Sequence, residues 1–353
     1  VPAPITGSTS VCAGSTTSLY TTSTGGTWVS GTPSVATISS TGVLSGVAPG
    51  TVSIDYVYGT GCTTNYIVTV NMTPGAITGS SSVCIGDNTT LANATPGGMW
   101  TSSSTSMATI GSSTGTVTGM SAGVPTISYT LATGCYTSSP ITVNVLPGAI
   151  TGPTAVCVGD NIALGSSTTG GIWSSSATTL AIVGSASGIV NGVSAGVPTI
   201  SYTLPTGCMR IANITVNATP AASTGVMSVC IGQTTTLANS SSGGTWSSGT
   251  VTMATVGSLS GIVTGVATGM PVITYAMPSG CFTASVVTVN PLPGSITGAS
   301  SVCVGLTTTL SSATTGGAWS SSNTSEATVG SGSGIVTGIA TGTPVITYLL
   351  PTG

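Results

Sequence analysis

The residues that could do acid–base chemistry in this chain are few and scattered. Its only basic residue is Arg210, it has neither lysine nor histidine, and its acids are Asp55, Asp87, Asp160 and Glu326. Catalysis by proton transfer needs positioned groups that titrate near neutral pH, and metal sites need several converging donors. Nucleic-acid binding needs a basic surface. The sequence therefore predicts a protein that is not an enzyme, holds no metal or cofactor, and binds no nucleic acid.

Cysteine is the other reactive residue type, and it recurs in two regular series. The first series is Cys12, Cys84, Cys157, Cys230 and Cys303, and the second is Cys62, Cys135, Cys208 and Cys281. Each member of the second series follows one of the first by 50 or 51 residues (62 − 12, 135 − 84). This spacing predicts one disulfide inside each repeat, namely Cys12–Cys62, Cys84–Cys135, Cys157–Cys208 and Cys230–Cys281. Free buried thiols or intermolecular links are the alternative.

These predicted bridges have consequences for stability and location. A closed loop of about 50 residues is worth roughly 4 kcal/mol in the chain-entropy model, which matters for a domain with a thin core. Paired cysteines imply an oxidising compartment. A partner for Cys303 would fall at position 354, so we expect Cys303 to be unpaired here and the array to continue in further repeats of the same chain beyond residue 353.

Aromatic residues share the period of the cysteines. Tryptophan recurs every 72 or 73 residues, at Trp28, Trp100, Trp173, Trp246 and Trp319. This period predicts five domains, at residues 1–72, 73–145, 146–218, 219–291 and 292–353, the fifth without its last strand. We interpret the tryptophans as core residues; an exposed platform for stacking sugars is the alternative.

Within one period, short apolar and hydroxyl-rich runs alternate with glycine and proline. In the second repeat, examples are the runs 82–86, 99–103 and 126–130. Such runs are typical of strands separated by turns. We therefore predict an all-β fold, a rod-like tandem array of β-sandwiches of about 73 residues with one disulfide each. No apolar run reaches the 18 or more residues of a membrane-spanning helix.

Two patterns look functional but fit turns better. Residues 111–115 match the G-x-S-x-G pattern of hydrolase nucleophiles, but the chain has no histidine to serve as the base. Asp87 and Asp160 stand at equivalent Gly-Asp-Asn positions, which could suggest calcium ligands. The other repeats have Ser15, Gln233 and Leu306 there. We therefore interpret the aspartates as turn residues.

A family resemblance covers about two-thirds of each repeat and recurs in all five, and the fifth serves as the example. Its runs 319–323 (WSSSN), 327–329 (ATV), 334–338 (GIVTG) and 342–348 (GTPVITY) resemble the bacterial Ig-like group 2 domains of intimin- and invasin-type adhesins. The cysteine pair and the Pro-Gly linker are similar to those of giant surface proteins of Bacteroidota that the type IX system exports. The resemblance implies Ig-like sandwiches in a secreted adhesin or filament.

Together these features predict a structural protein outside the cell. We expect an extracellular, cell-surface stalk, filament or adhesin shaft that provides reach and mechanical stability. The alternative is a carbohydrate-binding or spacer array of a secreted multidomain hydrolase. The surface carries almost no charge to repel a second copy of the chain, so lateral self-association into filaments is a further hypothesis. Glycans are expected partners of the hydroxyl-rich surface.

Overall fold

The computed structural model describes residues 1–351, and within that range it contains strands and turns but no helix. Runs of Val, Ile, Thr and Tyr form the strands, because β-branched and aromatic side chains suit a pleated, half-buried surface. Glycine ends a run where a positive φ is needed, as at Gly134 with φ of 87°. The all-β prediction is confirmed.

The strands follow the sequence repeats. The first repeat has β1 to β8, which are Thr6–Gly7, Ser10–Cys12, Thr16–Tyr20, Thr27–Ser30, Ala36–Ile38, Val43–Gly46, Gly50–Val57 and Thr63–Asn71. The second has β9 to β17, which are Ile77–Gly79, Ser82–Cys84, Asn88–Asn93, Met99–Ser102, Ala108–Ile110, Thr116–Gly119, Thr126–Thr130, Tyr136–Pro140 and Thr142–Asn144. The third has β18 to β27, which are Ile150–Thr151, Ala155–Cys157, Asn161–Ala163, Gly165–Ser166, Ile172–Ser175, Ala181–Val183, Ile189–Gly192, Thr199–Thr203, Met209–Asn213 and Thr215–Asn217.

The last two repeats continue this order. The fourth has β28 to β36, which are Thr224–Gly225, Ser228–Cys230, Thr234–Ala238, Thr245–Ser248, Ala254–Val256, Ile262–Gly265, Val272–Ala276, Phe282–Val286 and Thr288–Asn290. The fifth has β37 to β43, which are Ile296–Thr297, Thr307–Thr309, Ser311–Ser312, Ala318–Ser321, Ala327–Val329, Ile335–Gly338 and Ile346–Leu349.

Two sheets face each other in the second repeat. One is antiparallel with the strand order β13-β14-β11-β9, and the other has the order β12-β15-β16. A parallel pair, β10 with β17, completes the sandwich and places Val83 opposite Val143. The fourth repeat has the same arrangement, with the orders β28-β30-β33-β32 and β31-β34-β35 and the parallel pair β29 with β36.

The first repeat has longer final strands because it lacks a proline. β7 and β8 pair over eight positions, with Val52 opposite Val68. The later repeats have proline in place of Val52, at Pro125, Pro198, Pro271 and Pro344. Proline has no N–H to donate to the hydrogen bonds between two strands. The strand pairing is therefore interrupted in the second repeat, where the counterpart of β8 is divided into β16 and β17.

Each sandwich encloses a small apolar core. The cluster of the second repeat comprises Val83, Leu91, Trp100, Ala108, Val117, Ile127, Tyr129, Ile141 and Val143. Comparable clusters occupy the first and fourth repeats. No polar or charged residue is buried in residues 1–351. The cores therefore depend on a few aliphatic side chains and one tryptophan–tyrosine pair each.

The described chain divides into two compact units. One contains Val1–Thr151, Gly165–Trp173 and Ser201–Ile211. The other contains Gly152–Leu164, Ser174–Ile200 and the described residues from Ala212 onward. The division passes through the third sequence repeat. The five domain boundaries given above stay a prediction.

Candidate functional site

Six cysteines form disulfides in the described part of the chain, and each bridge joins two successive repeats. The bonds are Cys12–Cys135, Cys84–Cys208 and Cys157–Cys281, each with a Cα–Cα distance of 5.7 Å. The first two lie in one compact unit and the third lies in the other. The predicted pairing inside each repeat, namely Cys12–Cys62, Cys84–Cys135, Cys157–Cys208 and Cys230–Cys281, is therefore wrong. A first-series cysteine instead bonds to the second-series cysteine of the repeat that follows.

The first-series cysteine stands at the end of a strand. Cys84 is the last residue of β10 and lies opposite Asn144 of β17. A tight turn follows, in which the Asp87 N–H donates to the Cys84 carbonyl at 3.1 Å and Gly86 adopts a φ of 85°. The same backbone bond forms where the residue is Ser15 or Gln233, each of whose N–H donates at 3.0 Å to the preceding cysteine carbonyl, so the aspartate occupies a turn that does not depend on its side chain.

The second-series cysteine lies in a hairpin between the two final strands of its repeat. The Leu131 N–H donates to the Cys135 carbonyl at 2.9 Å, and the Gly134 N–H donates to the Leu131 carbonyl at 2.9 Å. The Cys135 side chain is fully buried. The hairpin thus fixes the position of the Cys135 sulfur, which is bonded to Cys12 of the preceding repeat.

Hydrogen bonds hold the linker between repeats next to the bridge. The Ala13 N–H donates to the Asn71 carbonyl at 2.9 Å, and the Thr73 hydroxyl donates to the Ala13 carbonyl at 2.6 Å. In the other compact unit, the Thr219 hydroxyl donates to the Val158 carbonyl at 2.7 Å. These two linkers are therefore tied to the strand ends that carry bridging cysteines.

The three disulfide loops overlap along the chain. Residues 12–135, 84–208 and 157–281 form one interlocked series, because each loop opens before the previous one closes. Every peptide bond between Cys12 and Cys281 is therefore enclosed by at least one covalent loop. We call this series the disulfide ladder.

Two other cysteines have exposed side chains. Cys62 lies in a hairpin with the same hydrogen bonds as that of Cys135, the Tyr58 N–H donating to the Cys62 carbonyl at 3.0 Å. Cys303, which we expected to be unpaired, follows Val302. Neither takes part in a disulfide of the described residues.

The tryptophans lie inside the sandwiches. Trp100, Trp173, Trp246 and Trp319 are buried, and Trp28 is half-buried. Each packs on the tyrosine of the opposite strand, as in the Trp246–Tyr275 pair, whose ring centroids are 4.8 Å apart. Their faces are turned to the core, and an indole can stack on a sugar only with an exposed face.

The tyrosine hydroxyl fixes the turn in front of each tryptophan. The Gly244 N–H donates to the Tyr275 hydroxyl at 2.9 Å, and that hydroxyl donates to the Ser241 carbonyl at 2.6 Å. A Cβ at Gly244 would overlap the tyrosine ring. This close approach accounts for the second glycine of each Gly-Gly pair.

The charged residues do not assemble into a site. No group of three or more His, Cys, Asp or Glu side chains able to hold a metal occurs among residues 1–351. Arg210 contacts the segment between the second and third repeats, where its Nε donates to the Pro147 carbonyl at 3.4 Å. Within the same residues, no helix is long and apolar enough to cross a membrane.

Comparison with known proteins gives distant structural similarity only. No protein-family model matches the chain, and no curated protein does. Among solved structures, domains EC1-4 of Drosophila N-cadherin match at 10% identity, covering 78% of this chain and 94% of that chain, with a TM-score of 0.21. Domains 1–6 of the surface layer protein SbsC match at 14% identity, with 98% and 63% covered and a TM-score of 0.21.

A third similar structure is the set of eight N-terminal Ig domains of the Down syndrome cell adhesion molecule. It matches at 9% identity, covering 99% of this chain and 60% of that chain, with a TM-score of 0.28. All three are arrays of successive domains. At these scores and identities the similarity says nothing about function.

Proposed function

We propose that the chain is a structural extracellular array, a stalk, filament or adhesin shaft, in which the disulfide ladder carries tension. The observation behind this proposal is the overlap of the three loops from Cys12 to Cys281. A disulfide inside a domain protects only that domain. A bridge between neighbours also protects the linker, which is otherwise the weakest point of a domain array.

The ladder shortens the covalent path that force must follow. Along the backbone, about 269 residues separate Cys12 from Cys281, and they could extend to roughly 900 Å if unfolded. Through the bonds Cys12–Cys135 and Cys157–Cys281, the path contains only the residues from 135 to 157. That segment of about 22 residues could extend to roughly 75 Å. With the bridges intact, most of the protein bears no direct load.

The rest of the proposal concerns location and partners. Structural disulfides persist outside the reducing cytosol, which supports a cell-surface location for a protein with three of them in its described residues. The proposed source is a bacterial surface protein with Ig-like group 2 repeats, of the type IX-secreted kind found in Bacteroidota. Lateral self-association and attached glycans belong to the same proposal.

Single-molecule force spectroscopy tests the proposed function. The chain would be pulled from tags at its two ends, first oxidised and then after chemical reduction. We expect the reduced chain to gain roughly 800 Å more contour length than the oxidised chain, the difference between the two paths. Extension of the segment after Cys281 occurs in both states and serves as an internal reference.

A matched variant assigns the effect to the ladder. Cys157→Ser combined with Cys281→Ser removes the shortcut from residue 157 to residue 281, while Cys84–Cys208 still bridges the part up to residue 208, and should release part of the hidden length without reductant. Cys62→Ser, which removes an exposed thiol, should leave the oxidised trace unchanged. Equal contour lengths for oxidised and reduced chains would rule out a load-bearing ladder.

The carbohydrate-binding alternative has weaker support. The exposed aromatic residues include Tyr20, Tyr136 and Phe282, but they stand at positions that other repeats fill differently. Tyr136 and Phe282 occupy the same position in their repeats, and that position holds Thr63 in the first repeat and Met209 in the third. Binding to a glycan array that is lost in Tyr136→Ala, with the fold unchanged, would favour that alternative.

A further inference from the structure

The linkers between repeats are of two kinds, and the two kinds alternate along the chain. In chain order, the residue before the linker proline is Thr73, Leu146, Thr219 and Leu292. We call residues 72–75 and 218–221 the threonine linkers, and residues 145–148 and 291–294 the leucine linkers. Two further positions alternate in step with the linker residue, so the sequence has a period of two repeats in addition to its period of one.

The first of these positions follows the first-series cysteine of the repeat before the linker. Where a threonine linker follows, this position holds a smaller side chain, Ala13 or Val158. Where a leucine linker follows, it holds the larger Ile85 or Ile231. The position is in contact with the linker, because the Thr73 hydroxyl donates to the Ala13 carbonyl at 2.6 Å. The residue types on the two sides of this contact therefore change together.

The second position lies in the repeat after the linker. It holds asparagine after a threonine linker and serine after a leucine linker: Asn93, Ser166, Asn239 and Ser312 in chain order. The Asn93 Nδ2 donates to the Gly75 carbonyl of the linker at 2.6 Å, and the Ser166 hydroxyl donates to the equivalent Gly148 carbonyl at 3.1 Å. The bond is again 2.6 Å from the second asparagine, and it is 2.9 Å from the second serine. The asparagines thus hold their linkers at shorter distances.

The backbone at the two kinds of linker is the same. The N–H of the residue after the first-series cysteine donates to the carbonyl of the asparagine that ends its repeat, at 2.9 Å from Ala13, 3.0 Å from Ile85 and 2.9 Å from Val158. Each of these three junctions also lies inside a disulfide loop. The difference between the two kinds of linker therefore lies in their side chains.

Leucine cannot replace the threonine hydroxyl. It has no donor for the Ile85 carbonyl, so it can offer the preceding repeat apolar contact, and Leu146 and Ile85 are both half-buried. Apolar contact is non-directional, whereas a hydrogen bond weakens steeply as its angle departs from linear. A leucine linker can therefore shift without losing its contact. Arg210 adds to this linker a bond to Pro147 of 3.4 Å, which is longer than usual for an N–H donor.

We propose that the array is built of two-repeat units in which the leucine linkers are the compliant joints. A threonine linker is held to the repeat before it by a hydroxyl–carbonyl bond and to the repeat after it by an asparagine amide. A leucine linker is held by apolar contact on one side and by a serine hydroxyl on the other. Strain on the array therefore opens every second linker first. This holds whether or not the disulfide ladder carries load, so the two proposals fail separately.

Amide hydrogen exchange, read by NMR on the full oxidised chain, tests the proposal. The reporters are the amides of Ala13, Ile85 and Val158, which donate the equivalent backbone bond at three junctions. Exchange is expressed as a protection factor, which removes the effect of the local sequence on the rate. We expect the protection of Ile85 to be at least threefold lower than that of Ala13 and Val158. Equal or higher protection at Ile85 would overturn the proposal.

Removal of one hydroxyl tests the threonine linker. Thr73→Val keeps the size of the side chain and removes its donor, so the protection of the Ala13 amide should fall at least threefold. Val158, at the other threonine linker, is the internal control and should keep its parent value. An unchanged Ala13 amide would show that the hydroxyl does not hold the linker, which contradicts the proposal.

The opposite change converts a leucine linker into a threonine linker. Leu146→Thr combined with Ile85→Val installs the residue types that the chain has at Thr219 and Val158. We expect the protection of the amide of residue 85 to rise at least threefold, towards that of Val158. Circular dichroism confirms that the variant is folded. An amide that stays as poorly protected as in the parent chain would count against a role for these side chains.

Discussion

The fourth and fifth repeats are built alike except at their closing strand. Both contain the tryptophan–tyrosine pair, with ring centroids 4.8 Å apart at Trp246–Tyr275 and 4.7 Å apart at Trp319–Tyr348. Within residues 1–351, the fourth repeat continues into the hairpin that carries Cys281 and the strand Thr288–Asn290, whereas the last strand of the fifth is Ile346–Leu349. That hairpin therefore does two things at once: it closes the core of its own repeat and it bonds covalently to the repeat before.

The largest expected effect is the loss of the bridge itself. Replacing Cys157 and Cys281 by serine removes a loop of 124 residues, which the chain-entropy model values at about 5 kcal/mol of unfolding free energy. Hydrogen exchange resolved along the chain should show faster exchange in strands β29 to β36, while strands β40 to β43 of the fifth repeat keep the parent rates.

The control for this prediction is Cys62→Ser. The thiol of Cys62 is exposed and lies outside the disulfides of residues 1–351, so its removal should change the unfolding free energy by no more than about 0.5 kcal/mol. If Cys62→Ser cost as much as the double variant, the structural bridge would involve Cys62 and the ladder would be wrong.

Much of this architecture is accessible from the sequence, but the cysteine pairing is not. The period of the tryptophans and the runs of Val, Ile and Thr are enough to predict a β-sandwich repeat. The pairing is ambiguous because two distances are equally regular: Cys84 is separated by 51 residues from Cys135 (135 − 84) and by 124 from Cys208. Regular spacing indicates only that the same kind of bond recurs along the chain; it does not identify which two cysteines form it. The pairing depends on which first-series cysteine the hairpin of Cys135 contacts in the folded chain, and that cysteine is Cys12.

A smaller effect distinguishes the two cores. Ile273→Ala in the fourth repeat removes a fully buried side chain and should cost about 3–4 kcal/mol of unfolding free energy. Ile346→Ala in the fifth repeat removes a half-buried side chain and should cost about 1–2 kcal/mol, because less apolar area is lost from the core. Local stability from hydrogen exchange measures both values. Equal costs would mean that Ile346 is packed as closely as Ile273.

The smallest expected effect is a gain in stability. Ser223 stands where the other repeats have isoleucine, at Ile5, Ile77, Ile150 and Ile296. Its hydroxyl is buried without a hydrogen-bond partner in the described structure, which is unfavourable. Ser223→Ile should therefore raise the unfolding free energy by about 1 kcal/mol, read from the denaturant midpoint. Ile296→Ser in the fifth repeat, where Ile296 is 41% exposed, is the matched reverse change. It should lower the unfolding free energy by less than Ser223→Ile raises it.

Peptide mapping without reduction tests the ladder most directly. Trypsin is of little use, because Arg210 is the only Lys or Arg, but chymotrypsin cuts after aromatic residues and separates Cys62 from both neighbouring cysteines at Tyr58 and Tyr66. The structure predicts a linked peptide pair containing Cys12 and Cys135, with Cys62 recovered alone. A linked pair containing Cys12 and Cys62 would show that each repeat is crosslinked only to itself, and the ladder would not exist.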